Sequence, residues 1–176
     1  RQMCIRDRSN TNSLNNVSCY GEDDGQAMVI ASGGHAPYTY DWYGPSGYIS
    51  NSATISSLIA GTYSVTIRDT NDCMVNTSVL ITEPNQIFFT TLSSIDESCL
   101  GACDGEIQVD VTGGVPPYSY LWTPTNETTN QISDLYAVPH IIKVTDSVGC
   151  FVVFDTINLN EPSFLNSTNE FVTFTL

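Results

Sequence analysis

Apolar and polar residues alternate along this chain with a period of two. Ile107, Val109 and Val111 are separated by Glu106, Gln108 and Asp110, and Ala27, Val29 and Ala31 keep the same spacing around Gln26, Met28 and Ile30. Successive side chains of a β-strand point to opposite faces, so the spacing predicts half-buried strands. Tyr38, Tyr40 and Trp42 share a face by the same count, as do Tyr63, Val65 and Ile67, and later Val79 and Ile81, with Ser and Thr opposite them. Turn residues separate these runs, and no stretch carries a convincing helical stripe. The pattern predicts an all-β fold of small antiparallel sandwiches.

The chain then repeats itself. GGHAPYTYDW, Gly33 to Trp42, returns as GGVPPYSYLW, Gly113 to Trp122. Ser18-Cys19 aligns without a gap on Ser98-Cys99 as far as the tryptophans, pairing Gly21 with Gly101 and Asp24-Gly25 with Asp104-Gly105. The second copy has a shorter loop after its tryptophan. The match then resumes, with Ile55-Ser56-Ser57-Leu58 facing Ile132-Ser133-Asp134-Leu135, Asp69 facing Asp146 and Cys73 facing Cys150, and each copy closes on Glu-Pro, at Glu83-Pro84 and Glu161-Pro162. A repeat of this length predicts separate modules in tandem rather than a solenoid of short units. The expected division is a leader over residues 1–11, one sandwich over 12–85, a second over 86–163, and the start of a truncated following segment over 164–176.

The repeated motif has a constructional reading. Gly33-Gly34 and Gly113-Gly114 can adopt positive φ between two strands, and Pro37 and Pro117 preset the entry into the next one. Tyr38, Tyr40 and Trp42, with Tyr118, Tyr120 and Trp122 in the second copy, bury large area in modules whose cores are small. The competing reading is a carbohydrate-stacking platform that uses Tyr43, Tyr48 or the rings of Trp42 and Trp122.

Charge narrows the partners. Nineteen acidic residues stand against five basic ones, for a net charge of −14. Such a surface repels phosphate backbones, which argues against nucleic-acid binding. No run approaches the roughly 20 apolar residues that cross a bilayer, so no membrane insertion is expected. The opening RQMCIRDR lacks the apolar centre of a secretion signal and differs in charge from the rest of the chain; it resembles a translated sequencing-adapter leader.

Cysteine placement keeps to the repeat. Cys19 and Cys73 lie early and late in the first copy, Cys99 and Cys150 early and late in the second. A pair per module predicts one disulfide in each and an oxidising, extracytoplasmic setting. Cys103 is an extra thiol that could compete for Cys150, pair with Cys99 or stay free, and Cys4 falls in the leader. If the early and late cysteines bond, the acidic residues Asp23 and Asp24 come close to Asp69 and Asp72 and form an oxygen-rich corner of the kind that holds Ca²⁺. The second copy keeps only Asp104 and Asp146 of the wider set, which favours a solvated acidic loop.

The ordered set Cys, Gly, Asp-Gly, Gly-Gly-x-x-Pro-Tyr-x-Tyr-x-Trp, Leu-x-x-Gly-Thr-Tyr-x-Val-x-Ile-x-Asp, Cys, Glu-Pro resembles the SprB repeat of long cell-surface proteins of gliding bacteria of the Bacteroidetes. Copy one carries it nearly intact from Cys19 to Pro84; copy two has Val138-Pro139-His140 where copy one has Gly61-Thr62-Tyr63. The resemblance implies two tandem immunoglobulin-like antiparallel β-sandwich modules of a secreted adhesin that serves surface attachment or gliding. Its partners would be neighbouring repeats, surface glycans or other cell-surface proteins. An accessory carbohydrate-binding module of a secreted polysaccharide-degrading enzyme is the alternative. Catalysis needs a nucleophile with a base, or paired carboxylates. Neither His35 nor His140 recurs as histidine in the other copy, and no phosphate or dinucleotide loop is present. No catalytic residue and no cofactor is expected.

Overall fold

The structure, a computed structural model, describes residues 10–162. The segment expected over 164–176 lies outside the described residues, as does the leader apart from residues 10 and 11, which form the start of a strand. The chain divides into two compact units. Among the described residues, unit 1 runs through Gln86 and also takes in Gly113–Pro116 and Val148–Cys150; unit 2 comprises Ile87–Thr112, Pro117–Ser147 and residues 151–162. The division differs from a single cut near residue 85 because two loops of the second copy group with unit 1. There the Gly114 N–H donates to the Asn85 carbonyl at 2.7 Å and Cys150 is bonded to Cys19.

Among the described residues unit 1 contains seven strands, β1 (Asn10–Asn15), β2 (Gly25–Ile30), β3 (Thr39–Tyr43), β4 (Ile49–Ser50), β5 (Thr54–Leu58), β6 (Gly61–Arg68) and β7 (Met74–Ile81). They form two antiparallel sheets in the orders β1-β2-β5 and β4-β3-β6-β7. Side chains from both sheets share one core of Ala27, Val29, Ile55, Leu58, Tyr63, Val65, Ile67, Val79 and Ile81 around Trp42. Alternation along β2 puts Gly25, Ala27 and Val29 inside, the parity expected of a half-buried strand.

Unit 2 repeats the plan with β8 (Phe88–Ile95), β9 (Gly105–Thr112), β10 (Ser119–Thr123), β11 (Gln131–Leu135), β12 (His140–Thr145) and β13 (Phe151–Ile157). Its sheets run β11-β9-β8 and β10-β12-β13, and its core packs Ile107, Val109, Ile132, Leu135, Ile142, Val144, Ile157 and Leu159 around Trp122. The shorter loop after Trp122 has no counterpart of β4. Each unit is thus an immunoglobulin-like sandwich, with β1, β2 and β5 of unit 1 matched by β8, β9 and β11 of unit 2 in one sheet, and β3, β6 and β7 matched by β10, β12 and β13 in the other.

The same local devices recur in both. Ile55 and Leu58 both face the core although three residues apart, because the register shifts between their partners Ala27 and Gly25 and Ser57 takes φ +55°. Asp134 at φ +57° does the same between Ile132 and Leu135. A β-bulge of this kind adds a residue on one strand and resets which face comes next. The glycine after each Asp is required by crowding. A Cβ on Gly25 would stand 2.7 Å from the Leu58 carbonyl oxygen and 2.9 Å from Ile81 Cγ2; one on Gly105 would stand 2.7 Å from Leu159 Cδ1 and 2.9 Å from the Leu135 oxygen. Gly25→Ala and Gly105→Ala are each expected to lower the unfolding free energy by about 1–3 kcal/mol, the usual cost of overpacking, as read from denaturant midpoints. An unchanged midpoint would mean that the sheets do not approach this closely.

Candidate functional site

The repeated motif is the first candidate, and its geometry is that of a corner and a core. Gly33 and Gly34 have φ of +85° and +63°, Gly113 and Gly114 of +84° and +60°, the left-handed region in which a side chain is strained. The Tyr38 hydroxyl donates back to the Gly33 carbonyl at 2.6 Å and locks the corner. Tyr38 and Tyr40 are half-buried against the core of unit 1, and Tyr118 and Tyr120 against that of unit 2. Trp42 and Trp122 are buried outright, at 1% and 0% exposure. Their indole N–H groups donate to Ser52 O at 2.9 Å and Thr129 O at 2.8 Å, which satisfies the one polar atom of each ring.

This placement corrects one expectation. Sugar stacking needs an exposed ring face, and neither tryptophan offers one. Tyr48 packs edge-on against buried Tyr63 with centroids 5.3 Å apart. Of the four candidate rings, Tyr43 alone lies largely open, beside a groove along β3 and β4 lined by Asp41, Trp42, Tyr43, Ile49, Ser50 and Asn51, in which Trp42 stays 1% exposed. The second copy has Thr123 at the position of Tyr43.

The histidines are separated by their burial. His35 is exposed in the glycine-pair corner. His140 is 1% exposed at the position of Tyr63, and the two side chains address the same target. The Tyr63 hydroxyl donates to the Ile59 carbonyl at 3.1 Å, and His140 Nε2 lies 3.2 Å from the Tyr136 carbonyl, in each case four residues back. The substitution of Val138-Pro139-His140 therefore keeps a buried ring with a polar tip bonded to the preceding turn.

The cysteines bond differently from the expected pair per copy. Cys19 is joined to Cys150, with Cα atoms 5.6 Å apart, and Cys99 and Cys103 are free thiols. The reason lies in strand geometry. Cys19 sits beside the residues that come after β7: the Val17 N–H donates to Thr82 O at 2.9 Å and the Gly21 N–H to Glu83 Oε2 at 2.7 Å. Cys73 immediately precedes β7. The strand carries the chain roughly 3.3 Å per residue, so its eight residues hold the two cysteines at opposite ends of the sandwich, more than about 20 Å apart. Disulfides need Cα atoms within about 7 Å. In the second copy Asp96, three residues before Cys99, accepts the Asn160 N–H at 2.9 Å just beyond β13, whereas Cys150 lies just before that strand. Neither Cys19–Cys73 nor Cys99–Cys150 can close.

The acidic corner dissolves for the same reason. Asp23 and Asp24 lie at the Cys19 end of unit 1, Asp69 and Asp72 at the Cys73 end, and no metal-ligating cluster forms among the described residues. Each end has its own use for a carboxylate. Asp24 Oδ1 accepts the Ser18 N–H at 2.9 Å and Asp104 Oδ1 the Ser98 N–H at 2.9 Å, so both aspartates tie the cysteine turn to the next strand. Asp69 is 5% exposed and receives three backbone N–H groups, from His35 at 3.0 Å, Asn71 at 2.8 Å and Cys73 at 3.0 Å. Burial pushes its carboxyl up, but the bonds from Cys73, His35 and Asn71 outweigh it and hold the group below its ordinary value. Asp24, Asp96 and Asp104 are lowered too, by their bonds to Ser18, Asn160 and Ser98.

A carboxyl depressed by folding stabilises the fold above its unfolded pKa, and the contribution disappears as pH falls through the lower folded value. Thermal midpoints are therefore expected to hold above about pH 5 and to fall steadily below about pH 4. Asp69→Asn should lower the midpoint at neutral pH and flatten that acid limb. An acid limb as steep as that of the unsubstituted chain would remove Asp69 from the account.

Residues 11–47 and 91–126 match the SprB repeat family, one match in each copy. No curated protein matches the chain. Among solved structures it is similar to the C-terminal 282-residue fragment of intimin in complex with the translocated intimin receptor intimin-binding domain, at 16% identity and TM-score 0.40, covering 87% of this chain and 63% of that one. The chain thus spans less than two thirds of that fragment. It is also similar to the amphioxus IgVJ-C2 molecule, at 11% identity and TM-score 0.32, covering 78% of this chain and 98% of that one.

Proposed function

We propose that this chain is a pair of structural repeat modules of a secreted cell-surface protein, serving surface attachment or gliding rather than catalysis. The observation that carries the reading is where the repeated residues go. The glycine pairs, the Asp-Gly steps and the tryptophans that the two copies share are spent on corners, strand starts and cores. The histidines, which would be the readiest bases, are an exposed corner residue and a buried packing residue. The two SprB matches support a cell-surface setting, and the Cys19–Cys150 disulfide supports an oxidising one. The acidic surface keeps such a chain soluble and directs it away from anionic partners.

The partners proposed are neighbouring repeats, and beyond them surface glycans or other cell-surface proteins. Antibody raised against the chain is expected to label intact, unpermeabilised cells that produce it, and the purified chain to compete with those cells for attachment. Labelling only after permeabilisation would contradict the reading. The accessory glycan-binding alternative rests on Tyr43 and its groove, present in one copy only. A glycan array on which binding appears and is lost in Tyr43→Ala would favour it, whereas no binding leaves the structural reading.

A further inference from the structure

The disulfide links the early cysteine of the first copy to the late cysteine of the second, and the second copy has an early cysteine of its own. We propose that Cys99 is the attachment point for the late cysteine of a further repeat, bonded to it in the same early-to-late manner as Cys19 to Cys150. The proposal rests on the reading of the chain as tandem repeat modules; it is independent of what the modules adhere to.

Two observations point to a partner for Cys99. The first is that its turn is built like the one that already carries a bond. The Ser18 and Ser98 N–H groups each donate to the aspartate six residues on, Asp24 or Asp104, at 2.9 Å. The carbonyls of Cys19 and Cys99 accept the N–H groups of Glu22 at 3.2 Å and Ala102 at 2.9 Å, and Gly21 and Gly101 have φ of +78° and +72°. The same residue on the same platform is disulfide-bonded in copy one, while Cys99 is exposed and free. The second is that the partner of Cys19 excludes the in-copy alternative. Cys150 is consumed, and β13 holds it at the far end of the sandwich from Cys99.

Cys103 does not take its place. Its thiol donates to the Asp134 carbonyl at 2.9 Å and its N–H to Glu97 Oε1 at 3.2 Å, which engages it within unit 2. The group that would fit Cys99 is a thiol in the turn that links the last two strands of a repeat, four residues after an aspartate. Asp69 and Cys73 have that spacing, and so do Asp146 and Cys150.

The bond forms by thiol–disulfide exchange with a small disulfide such as glutathione disulfide. The Cys99 thiolate attacks one of its sulfurs and releases one glutathione thiolate. The thiolate of the further repeat then attacks the Cys99 sulfur and releases the other. Two protein thiols lose two electrons and two protons, and glutathione disulfide gains both.

The test uses the chain with a second copy of residues 85–162 placed after Pro162 in exchange for residues 163–176, oxidised with glutathione disulfide, alkylated with N-ethylmaleimide and mapped without reduction. The expected map joins Cys99 to the late cysteine of the appended copy and retains Cys19–Cys150. In Cys99→Ser, an exposed substitution, one additional thiol, that of the appended late cysteine, becomes alkylated. A map in which Cys99 is alkylated, in which it is bonded to Cys103, or in which Cys19–Cys150 itself is missing overturns the proposal. Because the readout is connectivity in purified protein, failure here leaves the cell-labelling test untouched, and failure there leaves this one.

Discussion

One indole sits at the centre of each sandwich, and the rest of the structure is arranged so that it can be there. Burying a ring of this size removes a large apolar area from water, of which a small module has little else to give. Its N–H must be met inside, and the loop after each tryptophan supplies the carbonyl, Ser52 in one unit and Thr129 in the other. The two loops differ in length and in secondary structure yet deliver the same acceptor. Around the core the chain is also crowded where β2 and β9 begin, by Leu58 and Ile81 in one unit and by Leu135 and Leu159 in the other, so that each strand must start with glycine. That crowding accounts for the glycine, and the aspartate before it ties down the cysteine turn through the Ser18 or Ser98 N–H.

Sandwich geometry also decides the covalent chemistry. A last strand that runs the length of the module puts the entry turn at one end and the hairpin before that strand at the other. Cysteines in those two places cannot meet within a copy, and the bond goes from the early residue of one copy to the late residue of the other. The closed loop has a sequence separation of 131 residues, for which the chain-entropy model gives a stabilisation of about 5 kcal/mol. That is a large part of the stability of a small domain.

Much of this is legible in the sequence. The period of two identifies the strands, and the glycine pairs, tyrosines and tryptophans of the repeated motif are among the residues that form the corners and cores. What cannot be read from the sequence is which end of the sandwich each loop occupies. Cys19 and Cys73, or Asp24 and Asp69, bracket a copy in sequence and so invite pairing, but an antiparallel strand of eight residues converts that bracket into a separation. His140 is obscure for another reason. Histidine is a poor match to tyrosine by type, and only the carbonyl four residues back shows that both rings answer the same need. The tryptophans as sugar platforms fail on burial, which periodicity alone leaves open for an aromatic on a shared face.

The central claim is that each copy encloses its own core and carries its two cysteines at opposite ends. Non-reducing peptide mapping of the unextended, oxidised chain tests it most directly. The account predicts a linked pair of peptides that contain Cys19 and Cys150. Peptides that link Cys19 to Cys73, or Cys99 to Cys150, would contradict it.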